Sequence, residues 1–379
     1  MAVLHAEGFT GVPRASTHFG ATPLASLGYI GKVLNNGTSD VTGSTSWQLA
    51  TVPDLTFGDR TRITMLGSNQ AYTWMMQLRK PLNTAGFTKF VIGFVARVES
   101  AAATTSPVRV MLTAGAPIVN SNTAPTDMLA YVNIPLDGTT KGFAAGNGTA
   151  AVPIDVVKGQ EFHFEVLIEE DVDRLRVYID GVLKVDTAYT GTFGSASGGF
   201  SFVTWLPQTM TNVATGASYS NLYVLGLDAA HTGVLGPAAR ILEIAPPGDM
   251  DVHWVRPDGY TTNAAVLAQA FNEAAPDYLA ASKVGDYDVY SAPNAVAANA
   301  AQIFGAGFKV NAMTMAAGTH TIKPVVKTAS GVHEVGTEST LQLGVIQPIF
   351  VDASVNPDTN AIWTPSAVSA SGFGIKLKS

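Results

Sequence analysis

Short runs of alternating apolar and polar residues fill most of this chain, broken by clusters of Gly, Pro, Asn, Asp and Ser. A side-chain period of two is that of a half-buried β-strand, and many such runs with regular turn signals read as a sandwich or barrel. The clearest stretch is 161–186. Phe162, Phe164, Val166 and Ile168 alternate with Glu161, His163 and Glu165, and Leu175, Val177 and Ile179 alternate with Arg174, Arg176 and Tyr178. Asp180-Gly181 separates the second run from Val182-Leu183-Lys184-Val185. Both residues of such a turn take positive φ, which predicts a β-hairpin.

Further strands are expected over 71–78, 90–98, 108–112, 129–134, 199–205 and 221–225, with long polar connections at 101–107 and 138–151. A Gly-, Ala- and Pro-rich segment at 229–240 follows and reads as a linker. It divides an N-terminal domain, 1–228, from a second β-rich domain, 241–379, which opens with Ile241-Leu242-Glu243-Ile244. In that domain, strands are expected over 308–315, 320–327, 339–346 and 374–378. One short helix is expected over 262–270, capped by Asn263 and blocked from continuing by Pro276. The fold class is therefore all-β, two antiparallel jelly-roll-like β-sandwich domains with one short helix. No tandem repeat of solenoid or propeller length is present.

Composition narrows the partners. Of 379 residues, 13% are charged and 46% hydrophobic, against an average charged share of about 25%. The resulting surface is neutral and hydroxyl-rich, suited to meeting protein or sugar. The net charge of −7 comes without any basic block, so no nucleic-acid partner is expected. No apolar run approaches the ~20 residues of a membrane span, and no membrane insertion is expected. Residues 1–7 lack the charged and apolar regions of a secretory signal. Without a single cysteine, disulfides, thiolate–zinc sites and Cys nucleophiles are excluded.

Enzyme templates find no match. G-x-x-x-x-G-K, G-x-G-x-x-G between strand and helix, H-E-x-x-H and G-x-S-x-G are all missing. So is the E-x-D-x-x-E strand that would carry paired carboxylates for glycosidic chemistry. The acidic run Glu169-Glu170-Asp171-Val172-Asp173 falls at a hairpin bend and reads as a solvated turn. In Asp249-Met250-Asp251-Val252-His253 an extended strand would put Asp249, Asp251 and His253 on one face, as metal ligands can be. The same alternation describes any half-exposed strand with Met250, Val252 and Trp254 inward, and no further residue completes a coordination sphere. The seven His are read as surface or hydrogen-bonded groups. No catalytic residue, cofactor or metal is expected, and the chain is expected not to be an enzyme. Trp47, Trp74 and Trp205 are the candidates for stacking on a sugar ring; Trp254 and Trp363 lie, like most of the five, in apolar alternation where core packing is the commoner role.

Two stretches resemble known proteins. The hairpin Val-Tyr-Ile-Asp-Gly-Val-Leu-Lys-Val within 161–205, followed by a Gly-rich turn into an aromatic strand, resembles the core of concanavalin-like or laminin-G-like jelly rolls. The second is an ordered series. Asn221-Leu222-Tyr223-Val224-Leu225 and 233–248 come first, then Trp254-Val255-Arg256-Pro257-Asp258-Gly259-Tyr260 and Asp277-Tyr278-Leu279. Gly285-Asp286-Tyr287-Asp288-Val289-Tyr290 and Asn356-Pro357-Asp358-Thr359-Asn360-Ala361-Ile362-Trp363-Thr364 complete it. It resembles tailed-bacteriophage virion proteins that carry a lectin-like sandwich before a second β-rich module. The likeness covers roughly 160–379. It departs at Ser220 and Asn221, where that class carries acidic residues.

This resemblance implies a structural component of a phage virion, associated with tail, collar or fibre, made in the host bacterial cytoplasm and docked through sheet edges to other virion proteins in a homo-oligomer. The alternatives, in order, are a receptor-binding adhesin for host surface glycan, a capsid decoration or head-spike protein and, last, a carbohydrate-degrading enzyme.

Overall fold

The computed structural model describes residues 1–8, 18–19, 29–35, 39–40, 47–52, 60–66, 74–82, 86–98, 108–114, 128–134, 141–145, 150–154, 160–189, 199–206, 216–229, 231–241, 245–268, 277–292, 300 and 302–379. Among these residues the chain is almost wholly antiparallel β-structure. In the first sheet, the path runs Val182–Ala188, Arg174–Ile179, Phe162–Glu169, Lys89–Val98, Gly216–Gly226, Arg60–Leu66, Trp47–Val52 and His18–Phe19, and Ala2–Glu7 also pairs with Gly216–Gly226. The second runs Ala150–Ile154, Lys141–Ala145, Met128–Ile134, Val108–Thr113, Gly199–Leu206, Trp74–Pro81, Ile30–Asn35 and Ser39–Asp40. This is a jelly-roll-like sandwich. Its core gathers Phe90, Ile92, Phe94, Phe164, Val166 and Ile168 from the first sheet with Leu78, Leu112 and Phe200 from the second.

The hairpin read at Asp180-Gly181 forms with φ of +50° and +78° at the two turn residues, and Ile179 pairs with Val182 across it. The acidic run forms a single 3-10 turn, Glu170–Val172, closed by Asp173 in the left-handed region. Glu169 departs from the solvated reading: it is buried and its carboxylate meets the Arg176 guanidinium at 2.5 Å.

A second departure lies in the strand Phe162–Glu169. Its alternation predicts one wet face, yet all eight residues are buried. The outer face is covered by 234–241: Val234, Leu235, Ala239 and Ile241 pack with Val91, Leu167, Tyr223 and Leu225. The segment read as a linker is thus laid on the sheet.

The C-terminal region builds a six-stranded sheet in the order Asp249–Val252, Tyr287–Ser291, Gly372–Leu377, His320–Thr328 and Gly331–Glu334, with Ser339–Leu341 also paired to His320–Thr328. The pair Gly307–Ala312 and Gln347–Asp352 forms a separate ribbon. The expected run 339–346 therefore ends early, because 342–346 turn the chain toward the ribbon. The expected helix forms as α1, Asn263–Leu267, capped by the Thr262 hydroxyl, which accepts the Ala265 N–H at 3.1 Å, rather than by Asn263. A second short helix, α2, Pro365–Ser369, starts with Thr364 as cap and Pro at its first position. Residues 242–244, within the strand expected to open this domain, lie outside the described residues, as do 101–107. None of the described helices is long and apolar enough to cross a membrane.

Candidate functional site

The sugar-stacking candidates fall on strands whose backbone alone is described. Trp47 pairs with Phe19 and Met65 in the first sheet. Trp74 and Trp205 lie on neighbouring strands of the second, Trp205 opposite Met75 and Trp74 opposite Leu206. The side chains of Trp47, Trp74 and Trp205 lie outside the described residues. Trp363 is buried, and its indole N–H donates to the Ala353 carbonyl at 2.6 Å. It anchors the Asn-Pro-Asp-Thr-Asn motif, in which the Asn356 side chain accepts the Asp358 N–H at 2.9 Å and Asn360 takes a φ of +53°. That motif is a turn signature, with Asn chosen for local bonding and the left-handed conformation.

Titratable groups converge on the outer face of the first sheet. Glu165, Gly93 and Tyr223 stand side by side on three adjacent strands. The Tyr223 ring lies across Gly93 and its hydroxyl donates to Glu165 Oε1 at 2.6 Å. The backbone N–H groups of Leu235 and Gly236 donate to the same carboxylate at 2.8 and 3.0 Å. His163 Nε2 lies 3.2 Å from the phenol oxygen. Since the phenol proton goes to Glu165, Nε2 carries the imidazole proton and donates. Burial pushes Glu165 up from the ordinary carboxylate range, against the pull of those three donors. Burial, aided by the Arg240 charge, lowers His163 to about 4, and burial beside Glu165 raises Tyr223. A carboxylate, phenol and imidazole so placed are the components of a proton relay. Here the carboxylate faces the covering segment, so its donors hold 234–236 to the sheet.

The shared face read for Asp249, Asp251 and His253 holds for the last two and breaks at Asp249. An irregularity in pairing between Asp249 and Asp251 breaks the period of two. Asp249 turns to the start of α1, accepting the N–H groups of Asn263 and Ala264 at 2.9 and 2.6 Å. Asp251 instead meets Lys327 at 2.6 Å, Tyr287 at 3.0 Å and His253 at 3.2 Å, and the Lys327 bond holds its carboxyl below the usual range. Met250, expected inward, is exposed at this irregularity. Ser330, His333 and Asp358 also cluster, but His333 Nε2 is the nitrogen within 2.9 Å of the Ser330 hydroxyl and within 3.1 Å of Asp358. A nucleophile relay needs both ring nitrogens, one for each partner.

Sequence reading passed over the surface at 254–260 and 277–280. Asp288 is fully buried and accepts the N–H groups of His253 and Trp254 at 2.7 and 2.8 Å, the Asn263 amide at 2.8 Å and the Tyr290 hydroxyl at 2.7 Å. Asn263 also donates to the Trp254 carbonyl at 3.0 Å. The segment beginning at Trp254 is therefore fixed from beneath. Val255 and Ala280 then pair through reciprocal 2.9 Å bonds, joining the two segments. Tyr278 is 56% exposed, the one aromatic among the exposed large apolar side chains of the described residues. In the paired segments the Tyr260 hydroxyl bonds the carboxylate of Asp277, the residue before Tyr278, and Arg256 Nε donates to the Tyr260 carbonyl at 2.9 Å. These segments thus carry an exposed aromatic ring, a positioned carboxylate and a guanidinium. In the sequence, its signal is the pairing of Trp254–Tyr260 with Asp277-Tyr278.

No protein-family model matches the chain, and no curated protein matches it. Solved structures do. An alginate lyase of polysaccharide lyase family 7 aligns over 54% of this chain and 95% of its own at 12% identity and a TM-score of 0.34. A carbohydrate esterase from Shiga toxin-encoding bacteriophage phi24B aligns over 50% and 96% at 14% identity and 0.30. The carbohydrate recognition domain of Emp47p aligns over 52% and 94% at 15% identity and 0.31. A sialidase aligns over 52% of this chain, which spans 18% of that protein, at 9% identity and 0.30. These are carbohydrate-binding or carbohydrate-modifying proteins by description, and at such identities the likeness concerns the β-sandwich alone. They correct the expectation that the chain is not an enzyme. Lyases, an esterase and a sialidase stand among the similar structures.

Proposed function

We propose that this chain recognises glycan as a component of a bacteriophage particle, and that the surface of Tyr260, Asp277 and Tyr278 makes contact with the sugar. The exposed Tyr278 ring, next in sequence to the Asp277 that Tyr260 bonds, carries the reading. An aromatic face covers the apolar side of a pyranose, while fixed polar groups read its hydroxyls. Anchorage by Asp288 and Asn263 keeps this surface ordered before ligand arrives, which limits the entropy lost on binding. The ordered sequence series over 221–364 supports placement on a virion, and the hydroxyl-rich, sparsely charged composition suits a surface that meets sugar.

The test is a glycan array with the full chain, followed by titration of any hit against Tyr278→Ala. Loss of a stacking ring is expected to weaken binding about five- to tenfold, since about 1.4 kcal/mol corresponds to a factor of ten. Undiminished binding by Tyr278→Ala, or an array without hits, overturns the assignment of this surface. Immunogold labelling of virions tests the placement separately: label at tail tip or fibres supports it, and absence of the protein from purified particles overturns it. Any cleavage of a bound oligosaccharide, followed by mass spectrometry, would extend recognition to catalysis.

A further inference from the structure

The strand Ala2–Glu7 belongs to two bodies at once. Its backbone pairs with Gly216–Gly226 of the sandwich, and the His5 ring sits 2.7 Å from the Tyr29 hydroxyl with Phe200 nearby. Its buried alternate residues, Val3, His5 and Glu7, also meet the C-terminal region. A Cβ added at Gly305 would fall 2.1 Å from Val3. His5 meets the Phe350 ring edge-on at 5.9 Å. Glu7, fully buried, accepts the Lys309 ammonium at 2.8 Å. Lys309 lies on Gly307–Ala312, and Phe350 on its ribbon partner Gln347–Asp352.

The charges here depend on docking. Burial lowers the Lys80 amine to about 8, opposed by the Glu7 charge and reinforced by Lys309. His5 is held neutral by burial first, then by Lys80 and Lys309. Burial raises the Asp352 carboxyl, whose bonds from Ser354 and from the Val3 N–H oppose the shift. Removing Lys309 strands the Glu7 carboxylate out of water, a far larger cost than removing both partners.

We propose that Ala2–Glu7 is a strap that joins the sandwich and the C-terminal region into a single cooperative body, with Glu7–Lys309 as its clasp. The ribbon Gly307–Ala312/Gln347–Asp352 has few strands of its own to hold it, so local opening should begin there when the clasp is lost. A rigid joint fixes the angle at which any surface on the C-terminal region is presented relative to the sandwich.

The experiment is hydrogen–deuterium exchange with calorimetry on the full chain, comparing wild type, Glu7→Gln, Lys309→Met and the double variant. In each single variant, amides of Ala2–Glu7, Gly307–Ala312 and Gln347–Asp352 are expected to exchange about tenfold faster. Those of Phe162–Glu169 should be unchanged, and the single melting transition should split. The double variant should be no worse than Lys309→Met, because the stranded charge is gone. Uniform acceleration across the chain, unchanged exchange at the ribbon, or strictly additive effects in the double variant would each overturn the clasp.

Discussion

Tyr223 donates its phenolic proton to Glu165 at 2.6 Å, across 58 residues of sequence and over the backbone of Gly93. The contact needs all three positions. Adjacent strands put Glu165 and Tyr223 on either side of Gly93, and only a residue without a side chain leaves room for the ring between them. The resulting clasp fixes 234–236, and with it the exit of the chain from the sandwich.

Gly93→Ala is therefore expected to unseat Tyr223. The new Cβ would lie 2.1 Å from Tyr223 Cζ, and overpacking of this kind costs about 1–3 kcal/mol. Urea midpoints would report it. Gly93→Ala combined with Tyr223→Ala should cost less than the two single changes added together. Strict additivity would mean that the ring does not rest on this glycine.

Glu165→Leu should free the crossing segment while leaving the sheet intact. It removes the acceptor for Leu235 and Gly236 N–H, two donors that are then left without a bond, at about 1–3 kcal/mol each. Limited proteolysis is expected to cut near 231–241 in the variant well before the wild type, with the strand Phe162–Glu169 still protected. Equal cutting rates would show that apolar packing of Val234, Leu235 and Ile241 suffices.

The Tyr223 cluster makes two opposed contributions to the pH dependence. His163 falls to about 4 in the folded protein from an ordinary 6.5. Between those values the unfolded chain binds more protons, so stability drops as pH falls through this window, by about 3 kcal/mol at about 1.4 kcal/mol per unit. Glu165 is raised; its contribution is full below the ordinary carboxylate value and is lost as pH rises through the folded one. His163→Gln should flatten the acid limb of the stability profile without abolishing it, since burial lowers His5 as well, and Glu165→Gln should steepen it. Denaturation midpoints from pH 4 to 7 decide; a wild-type slope in His163→Gln would rule out a buried neutral imidazole.

What could be read from sequence was local. The Asp180-Gly181 turn needs positive φ at two consecutive residues, so composition at two positions sufficed. The strand Phe162–Glu169 was legible as a strand, but its dry outer face was not, because the cover comes from about 70 residues downstream of Glu165. Ala2–Glu7 stayed hidden because its buried positions are Val3, His5 and Glu7, and two polar residues conceal an inward face. The alternation read over 249–253 keeps Asp251 with His253 but loses Asp249 at an irregularity in strand pairing. Tyr278 was legible within a motif but not as a surface, since exposure depends on Val255 and Ala280 pairing.

Asp288 offers the most direct link between a buried group and the proposed glycan surface. It accepts two backbone N–H groups at the start of 253–260, together with the Asn263 amide and the Tyr290 hydroxyl. Asp288→Asn keeps the volume but replaces one acceptor oxygen by a donor, which must face either those N–H groups or the Asn263 and Tyr290 donors. Hydrogen bonds to a charged group contribute about 1.5–3 kcal/mol, and a loss of that order in stability of the C-terminal region is expected. Tyr290→Phe removes one bond from the far side of the carboxylate, leaves both backbone donors in place, and should cost less. If the surface binds glycan, Asp288→Asn should weaken binding although it touches no sugar, whereas Tyr290→Phe should not. Titration of both variants with the same oligosaccharide, at a temperature where each is folded, separates loss of anchorage from general destabilisation: equal weakening in both would tie affinity to stability alone.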